Sequence, residues 1–373
     1  MRIRLAVPLA ALLLTLLLPA AAPAQEATVS PAGSPAGYLQ GAANGRVRSR
    51  AWWDPKRHWY RERLDSRGKY PLATLWGVVP LFEATNALAI ADPGPSRRAA
   101  VRAFAQGAER YWNPHLRPVP GYAPYPGNRS PRDRTWYDDN GWWGIAFYDA
   151  YRATGDTRYL GSAKRAMTFV DSGWDSRNGG LWWDTRHSHK AGESLAAGTL
   201  LAASLYNATH SPHYLAMARK YITWADSDFR GDDGLYDRHE GDHTPMPYVQ
   251  GPMFAAFALL CEGSGDQAYC QEAEELAAAS TRRFPKLTMG PQYDAMYVRA
   301  LLELYRHDRN PRWYSIAEQT ADRAMANGRA ANGLFLNNWD GGSMRALQTK
   351  LGMLQTHAAT TSVMAWMAAA GPP

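Results

Sequence analysis

The chain has 373 residues, 46% of them apolar and 20% charged, which excludes a disordered chain and allows a large buried core. Two cysteines exclude a disulfide scaffold or a thiolate-built metal protein. The net charge of +7 comes from scattered Lys and Arg, not from the gathered basic face that nucleic acid requires.

At the N-terminus, Arg2 and Arg4 precede an apolar run from Leu5 to Leu18, and Ala22-Pro-Ala24 supplies a small-x-small cleavage pattern. Residues 1–24 therefore read as a signal peptide. Residues 25–37, rich in Ala, Pro, Gly and Ser, read as a flexible leader, and 38–373 as a single domain. The apolar run is shorter than the ~20 residues of a membrane span, and no later run matches its hydrophobicity. The mature chain is expected to be secreted or periplasmic, monomeric and without a membrane span. In an oxidising compartment, Cys261 and Cys270, flanking a helix-to-helix turn, read as a disulfide or as two buried thiols.

From Ile145 onward the chain repeats itself. An apolar helix ends at a Gly-Asp, Ser-Pro or Asn-Pro turn. An aromatic follows the turn at Tyr159, Tyr214, Tyr269 and Trp313, in steps of 55, 55 and 44 residues. A second helix with apolar residues three and four apart comes next. A return loop then follows: Gly179-Gly-Leu-Trp-Trp-Asp184, Asp233-Gly-Leu-Tyr-Asp237 and Asn332-Gly-Leu-Phe335. An earlier hairpin fits Leu72–Ile90 with Arg97–Tyr111. A last helix over Lys350–Ala369 and one near Tyr38–Trp53 bring the total to about six pairs. Such pairs form an open superhelix or a closed ring. The long aromatic and acidic loops favour the ring, an all-α (α/α)6 barrel.

The most chemically loaded stretch is Thr135-Trp-Tyr-Asp-Asp-Asn-Gly-Trp-Trp143. Asp138 and Asp139 are expected in an extended turn just before a helix. Retaining glycoside hydrolysis needs a nucleophilic carboxylate and a second carboxyl ~5–5.5 Å away as acid then base. Mutual repulsion and desolvation by Trp favour one proton on such a pair. Helix capping is the alternative role for Asp-Asp-Asn. Trp182, Trp183 and Asp184 on a return loop suggest a stacking platform with a hydroxyl-binding carboxylate, or loop packing. Tyr248 and Gln250 are candidates for sugar hydroxyls. Tyr293 and Arg299 are weaker candidates, Arg299 being equally suited to pairing with a buried acid. Trp52, Trp53 and Trp76 suit either the cleft or the core. No metal or cofactor is expected. Arg230 occupies a ligand position in the calcium-loop-like Asp226–Asp233, and His187, His189, His239 and His243 lack a matched ligand context. Neither a glycine-rich phosphate loop nor Gly-x-Ser-x-Gly occurs.

Tyr137-Asp-Asp-Asn-Gly-Trp-Trp-Gly-Ile-Ala146 resembles the signature of glycoside hydrolase family 76, the endo-α-1,6-mannanases. The resemblance continues through Gly179–Asp184, Tyr248-Val-Gln-Gly251 and Tyr293–Arg299. It implies an (α/α)6 barrel and a retaining mechanism without metal on α-mannosidic chains, with Asp138 as nucleophile and Asp139 as general acid/base. The chain departs from the family's pattern at His189–Ser194 and at Val249, where sugar subsites are expected. Glu193 there either adds a carboxylate to the cleft or favourably charges a helix start. Other barrel enzymes of carbohydrates (uronyl hydrolases, polysaccharide lyases, epimerases) and a non-catalytic glycan-binding protein are the competing readings.

Overall fold

Each inner helix of the repeat stops where the chain must enter a left-handed conformation. Gly155, His210, Gly265 and Arg309 close four of them with φ of 73°, 49°, 71° and 58°. Two of the four are Gly, the residue for which that conformation costs least. The next helix starts at once, after the N-cap oxygens of Asp266 and Asn310 in two cases and with Pro in its first turn after Ser211 and Asn310.

The structure, a computed structural model, describes residues 33–65, 70–341 and 352–373. Among them are twelve α-helices. The inner set is α2 (Leu75–Ala91), α4 (Tyr137–Thr154), α6 (Gly192–Thr209), α8 (Pro247–Ser264), α10 (Pro291–Asp308) and α12 (Leu354–Ala370). The outer set is α1 (Pro35–Arg48), α3 (Pro95–Ala108), α5 (Arg158–Asp171), α7 (Pro212–Asp228), α9 (Gln267–Arg283) and α11 (Pro311–Asn327). Each inner helix packs on the next, and α12 packs on both α10 and α2, so the ring closes as an (α/α)6 barrel. The sixth pair joins the two ends of the described chain, α12 inside and α1 outside. The only sheets among the described residues are two short hairpins, β1 (Trp53–Asp54) with β2 (Trp59–Tyr60) and β3 (Trp112–Asn113) with β4 (Gly121–Tyr122).

Burial separates the two layers as the periodicity predicts. Every residue of α6 from Gly192 to Tyr206, and of α8 from Pro247 to Cys261, is buried. The outer helices bury one stripe, as in α11, where Trp313, Tyr314, Ala317, Thr320, Ala321 and Ala324 face inward. Small residues let the inner helices approach. A Cβ on Gly141 would stand 2.9 Å from the Ala197 Cβ.

The expected signal peptide and residues 25–32 of the leader lie outside the described residues, as do the first two residues of the expected last helix. The remainder of the leader is helical in part, because Ser34 caps α1 and Pro35 opens it. No described helix is long and apolar enough to cross a membrane. Cys261 and Cys270 form a disulfide that staples the end of α8 to the start of α9.

Candidate active site

Inner-helix N-termini converge at one end of the barrel around a cleft of about 410 Å³. Trp76 comes from α2, Asp138 and Asp139 from α4, Glu193 from α6, Tyr248 from α8 and Tyr293 from α10. Loops complete the wall with Tyr125, Trp136, Trp183, Arg238, Met246 and Met289. Asp138 and Asp139 do not sit in an extended turn before α4, as expected. They belong to its first turn, because the chain becomes helical at Tyr137 after an extended Trp136 that offers no side-chain cap.

The loops are held by the helices they precede. At the fourth position of three inner helices a polar side chain clamps upstream backbone. Asn140 holds both N–H and C=O of Tyr122, Gln250 holds both of Tyr236, and His357 Nδ1 accepts the Phe335 N–H. Gln250 is therefore fully committed beneath the loop and does not reach the cleft.

Of nine predicted site residues, the structure gathers five in the cleft: Asp138, Asp139, Trp183, Tyr248 and Tyr293. Trp182 turns to the opposite face, stacking on His187 beside Tyr137 and Phe169. Asp184 is fully buried, and its Oδ2 accepts from Arg134 Nε at 2.6 Å. That pair lays the Arg134 guanidinium over the Trp136 and Trp183 rings at 5.2 and 5.4 Å, so Asp184 orients the platform from behind. Burial raises the Asp184 carboxyl, but Arg134, the Arg186 N–H and Ser188 together hold it below its ordinary range. Arg299 lies inside the barrel, paired with Glu83 and, at 2.7 Å, with Asp149. Trp52 is core, donating its indole N–H to the Gly352 carbonyl, whereas Trp53 lies on the outer surface.

Residues 120–300 match the model of glycosyl hydrolase family 76, a span that contains both aspartates, Glu193, Tyr248 and Tyr293. Over that span the chain is similar to family 76, and the match takes in the cleft residues of four inner helices but not the whole barrel. Solved structures share the fold at low identity. One is a family 76 α-mannanase from Bacteroides thetaiotaomicron (21% identity, 89% of this chain and 95% of that one, TM-score 0.79). A family 76 mannosidase from the same species matches at 22%, over 89% and 98%, with TM-score 0.78. A third is an inactive variant of an α-1,6-mannanase from Salegentibacter sp. HEL1_6, with two consecutive aspartates replaced by asparagine, in complex with α-1,6-mannotriose. It matches at 17% over 89% and 99%, with TM-score 0.71. No curated protein matches the chain.

The cleft has unusual electrostatics. Burial pushes the Asp138 carboxyl well above its ordinary value, and repulsion from Asp139 and Glu193 adds to the rise. Backbone N–H groups of the first turn of α4 pull it down without overcoming burial. Burial also pushes Asp139 up to about 7. Two adjacent carboxyls raised together share one proton near neutrality. The Tyr248 hydroxyl accepts the Trp142 indole N–H and turns its own proton toward Asp138 Oδ2 at 3.4 Å. Asp138 Oδ1 has no hydrogen-bond partner among the described residues.

Glu193 is the third carboxylate. It is buried with its carboxyl raised by desolvation, and Arg238 Nε approaches its Oε1 at 3.3 Å. Sequence reasoning did not single out Arg238 or Trp136. Trp136 stands within the Asp-Asp motif. The signal for Arg238 is its place directly after the Asp233–Asp237 return loop, near the counterpart of Asp184 in the preceding repeat.

Proposed function

We propose that the protein is an exported, retaining endo-α-1,6-mannanase. The observation that carries this reading is the pair of adjacent carboxyls in the first turn of α4, both raised by desolvation and faced by aromatic rings on several sides of an open cleft. A retaining double displacement needs one such group ionised and its neighbour protonated at the same pH.

In the proposed mechanism the proton shared by the pair rests on Asp139 when substrate is bound, and Asp138, whose ionised form the Tyr248 hydroxyl favours, attacks the anomeric carbon through its unpartnered Oδ1. Asp139, the less buried of the two, gives its proton to the departing glycosidic oxygen. The covalent glycosyl ester is then cleaved by water that Asp139 deprotonates, which restores both groups and retains the anomeric configuration. Trp76, Trp136, Trp183 and Tyr293 present ring faces and edges to the pyranose units. Support for the linkage and for the pair comes from the Salegentibacter α-1,6-mannanase, inactive when two consecutive aspartates are asparagine. Support for export comes from the signal-like sequence at residues 1–24.

The charge balance of the cleft disfavours a uronate. Three carboxylates face one arginine, and that arginine is engaged by Glu193 and, at 3.7 Å, by Asp242. Lyase and uronyl hydrolase chemistry would instead need free positive charge for the substrate acid. Digestion of α-1,6-mannan followed by proton spectroscopy tests the proposal. Manno-oligosaccharides released first as the α-anomer support it. A β-anomer released first, or an unsaturated product, overturns it.

A further inference from the structure

A second concave surface lies on the flank of the barrel. Two adjoining hollows of about 440 and 520 Å³ share Arg46, Trp53 and Tyr60 and form one groove between the end of α1 with its β1–β2 hairpin and the outer helix α3. Its floor includes Thr85 of α2. This residue lies nine positions beyond Trp76 of the cleft, or about 14 Å further along the helix.

Three observations distinguish this groove from ordinary surface. Its lining carries four arginines (Arg46, Arg50, Arg97 and Arg110) and no carboxylate. Three large apolar side chains are exposed among the described residues. Two of them, Val47 at 58% and Trp53 at 38%, line the groove, and the third, Met289, is on the catalytic cleft. Finally, Arg46 is aimed. Its Nε donates to Thr85 Oγ1 and its Nη1 to Ser49 Oγ, both at 3.1 Å. Each of those hydroxyls donates its own proton to a backbone carbonyl, of Leu81 and Arg46 respectively. They can only accept from the guanidinium, which is therefore fixed by neutral partners with its charge uncancelled. No ion pair to Arg46 or Arg50 exists among the described residues. A half-buried, oriented guanidinium without a counter-ion is suited to bidentate contact with phosphate or carboxylate, and the neighbouring indole face to a pyranose ring.

We propose that this groove is a second, non-catalytic saccharide site for an anionic glycan, with a sugar ring on Trp53 and a phosphate or carboxylate group on Arg46. Such a site would hold the enzyme on a charged polymer while the acid-rich cleft takes neutral stretches. It goes beyond the catalytic reading and does not depend on it.

Affinity electrophoresis of the full chain carrying Asp139→Asn, which leaves the groove untouched, tests it. The gels contain phosphomannan, the same mannan stripped of phosphate, or polygalacturonate. Retardation by phosphomannan at least tenfold stronger than by the stripped polymer assigns the anion as phosphate, and a comparable preference for polygalacturonate assigns it as carboxylate. Either preference should fall at least tenfold with Arg46→Met plus Trp53→Ala. It should also fall with Arg50→Met, an exposed change that keeps the test valid if the first variant does not fold. Arg282→Met with Arg283→Met on α9 should leave it unchanged. With Asp139 intact, the groove variants should hydrolyse short manno-oligosaccharides at the parental rate, so loss of the site and loss of catalysis are read separately. The proposal fails if neither anionic polymer is preferred, or if the preference survives the groove variants. It also fails if the α9 variant weakens binding equally, or if phosphatidylglycerol vesicles bind as tightly through the same residues.

Discussion

Tyr248 stands between an indole donor and a carboxylate acceptor: its hydroxyl takes the Trp142 N–H and offers its own proton to Asp138 Oδ2 at 3.4 Å. The bond stabilises the ionised form of Asp138, the form a nucleophile needs. Tyr248→Phe removes a hydrogen bond to a charged group, a class worth about 1.5–3 kcal/mol, so kcat/KM should fall roughly 10- to 100-fold. The loss should appear mainly in kcat, measured on manno-oligosaccharides. A change confined to KM would mean that the hydroxyl serves sugar binding and not the carboxylate.

Stability should carry the mark of the carboxyl pair. Desolvation raises Asp139 to about 7, well above the range it occupies in an unfolded chain. Between about pH 4 and 7 the native state therefore keeps a proton that the unfolded state has released, and stability falls as pH rises through that window. Asp139→Asn cannot ionise and escapes this loss. Its stability relative to the parent should increase from pH 4.5 to pH 8 in denaturant titrations, while hydrolysis drops by at least a thousandfold. A constant difference across that range would show that Asp139 is not raised.

The Cys261–Cys270 disulfide lies at the far end of α8 from the cleft, thirteen residues or about 20 Å beyond Tyr248. It closes a short loop, for which the chain-entropy argument gives about 2–3 kcal/mol. Cys261→Ser with Cys270→Ser should lower the melting temperature by several degrees and leave kcat and KM at parental values. A fall in kcat would mean that the end of α8 communicates with its N-terminus.

Much of this architecture is legible in the sequence because each repeat must make the same turn. The residues that turn the chain (Gly155, Gly265, Asn310-Pro311) and the aromatics that dock the outer helices are spelled out at matching positions. The site is legible where a helix start presents it, as with Asp138, Asp139, Tyr248 and Tyr293. It is hidden where side-chain direction decides. Trp182 and Trp183 are neighbours on one extended loop, so one faces the cleft and the other the core, and residue type does not say which. Gln250 has the chemistry of a sugar ligand, yet ring closure brings the Tyr236 backbone above it and uses both ends of its amide. Only the closed ring also shows that α1 packs on α12, more than 300 residues away in the chain.

Arg299 offers the sharpest contrast between a binding role and a structural one. It joins Glu83 of α2 and Asp149 of α4 inside the barrel, with its guanidinium 4.7 Å from the Trp366 ring of α12. Burial pushes Glu83 up to about 7 even with Arg299 beside it, a sign of how poorly that interior tolerates charge. Arg299→Met leaves the buried Glu83 without its cation and Asp149 with Arg152 alone, at 3.5 Å, and should cost about 3–5 kcal/mol. Adding Glu83→Gln and Asp149→Asn to Arg299→Met removes the stranded charges. Much of the loss should then return, because the three groups act as a unit and their effects are not additive. Urea titrations of the single and triple variants read both quantities. If Arg299→Met instead kept parental stability and raised KM, the residue would be contacting substrate, and the ion network would not be what fastens α2, α4 and α10 together beneath the cleft.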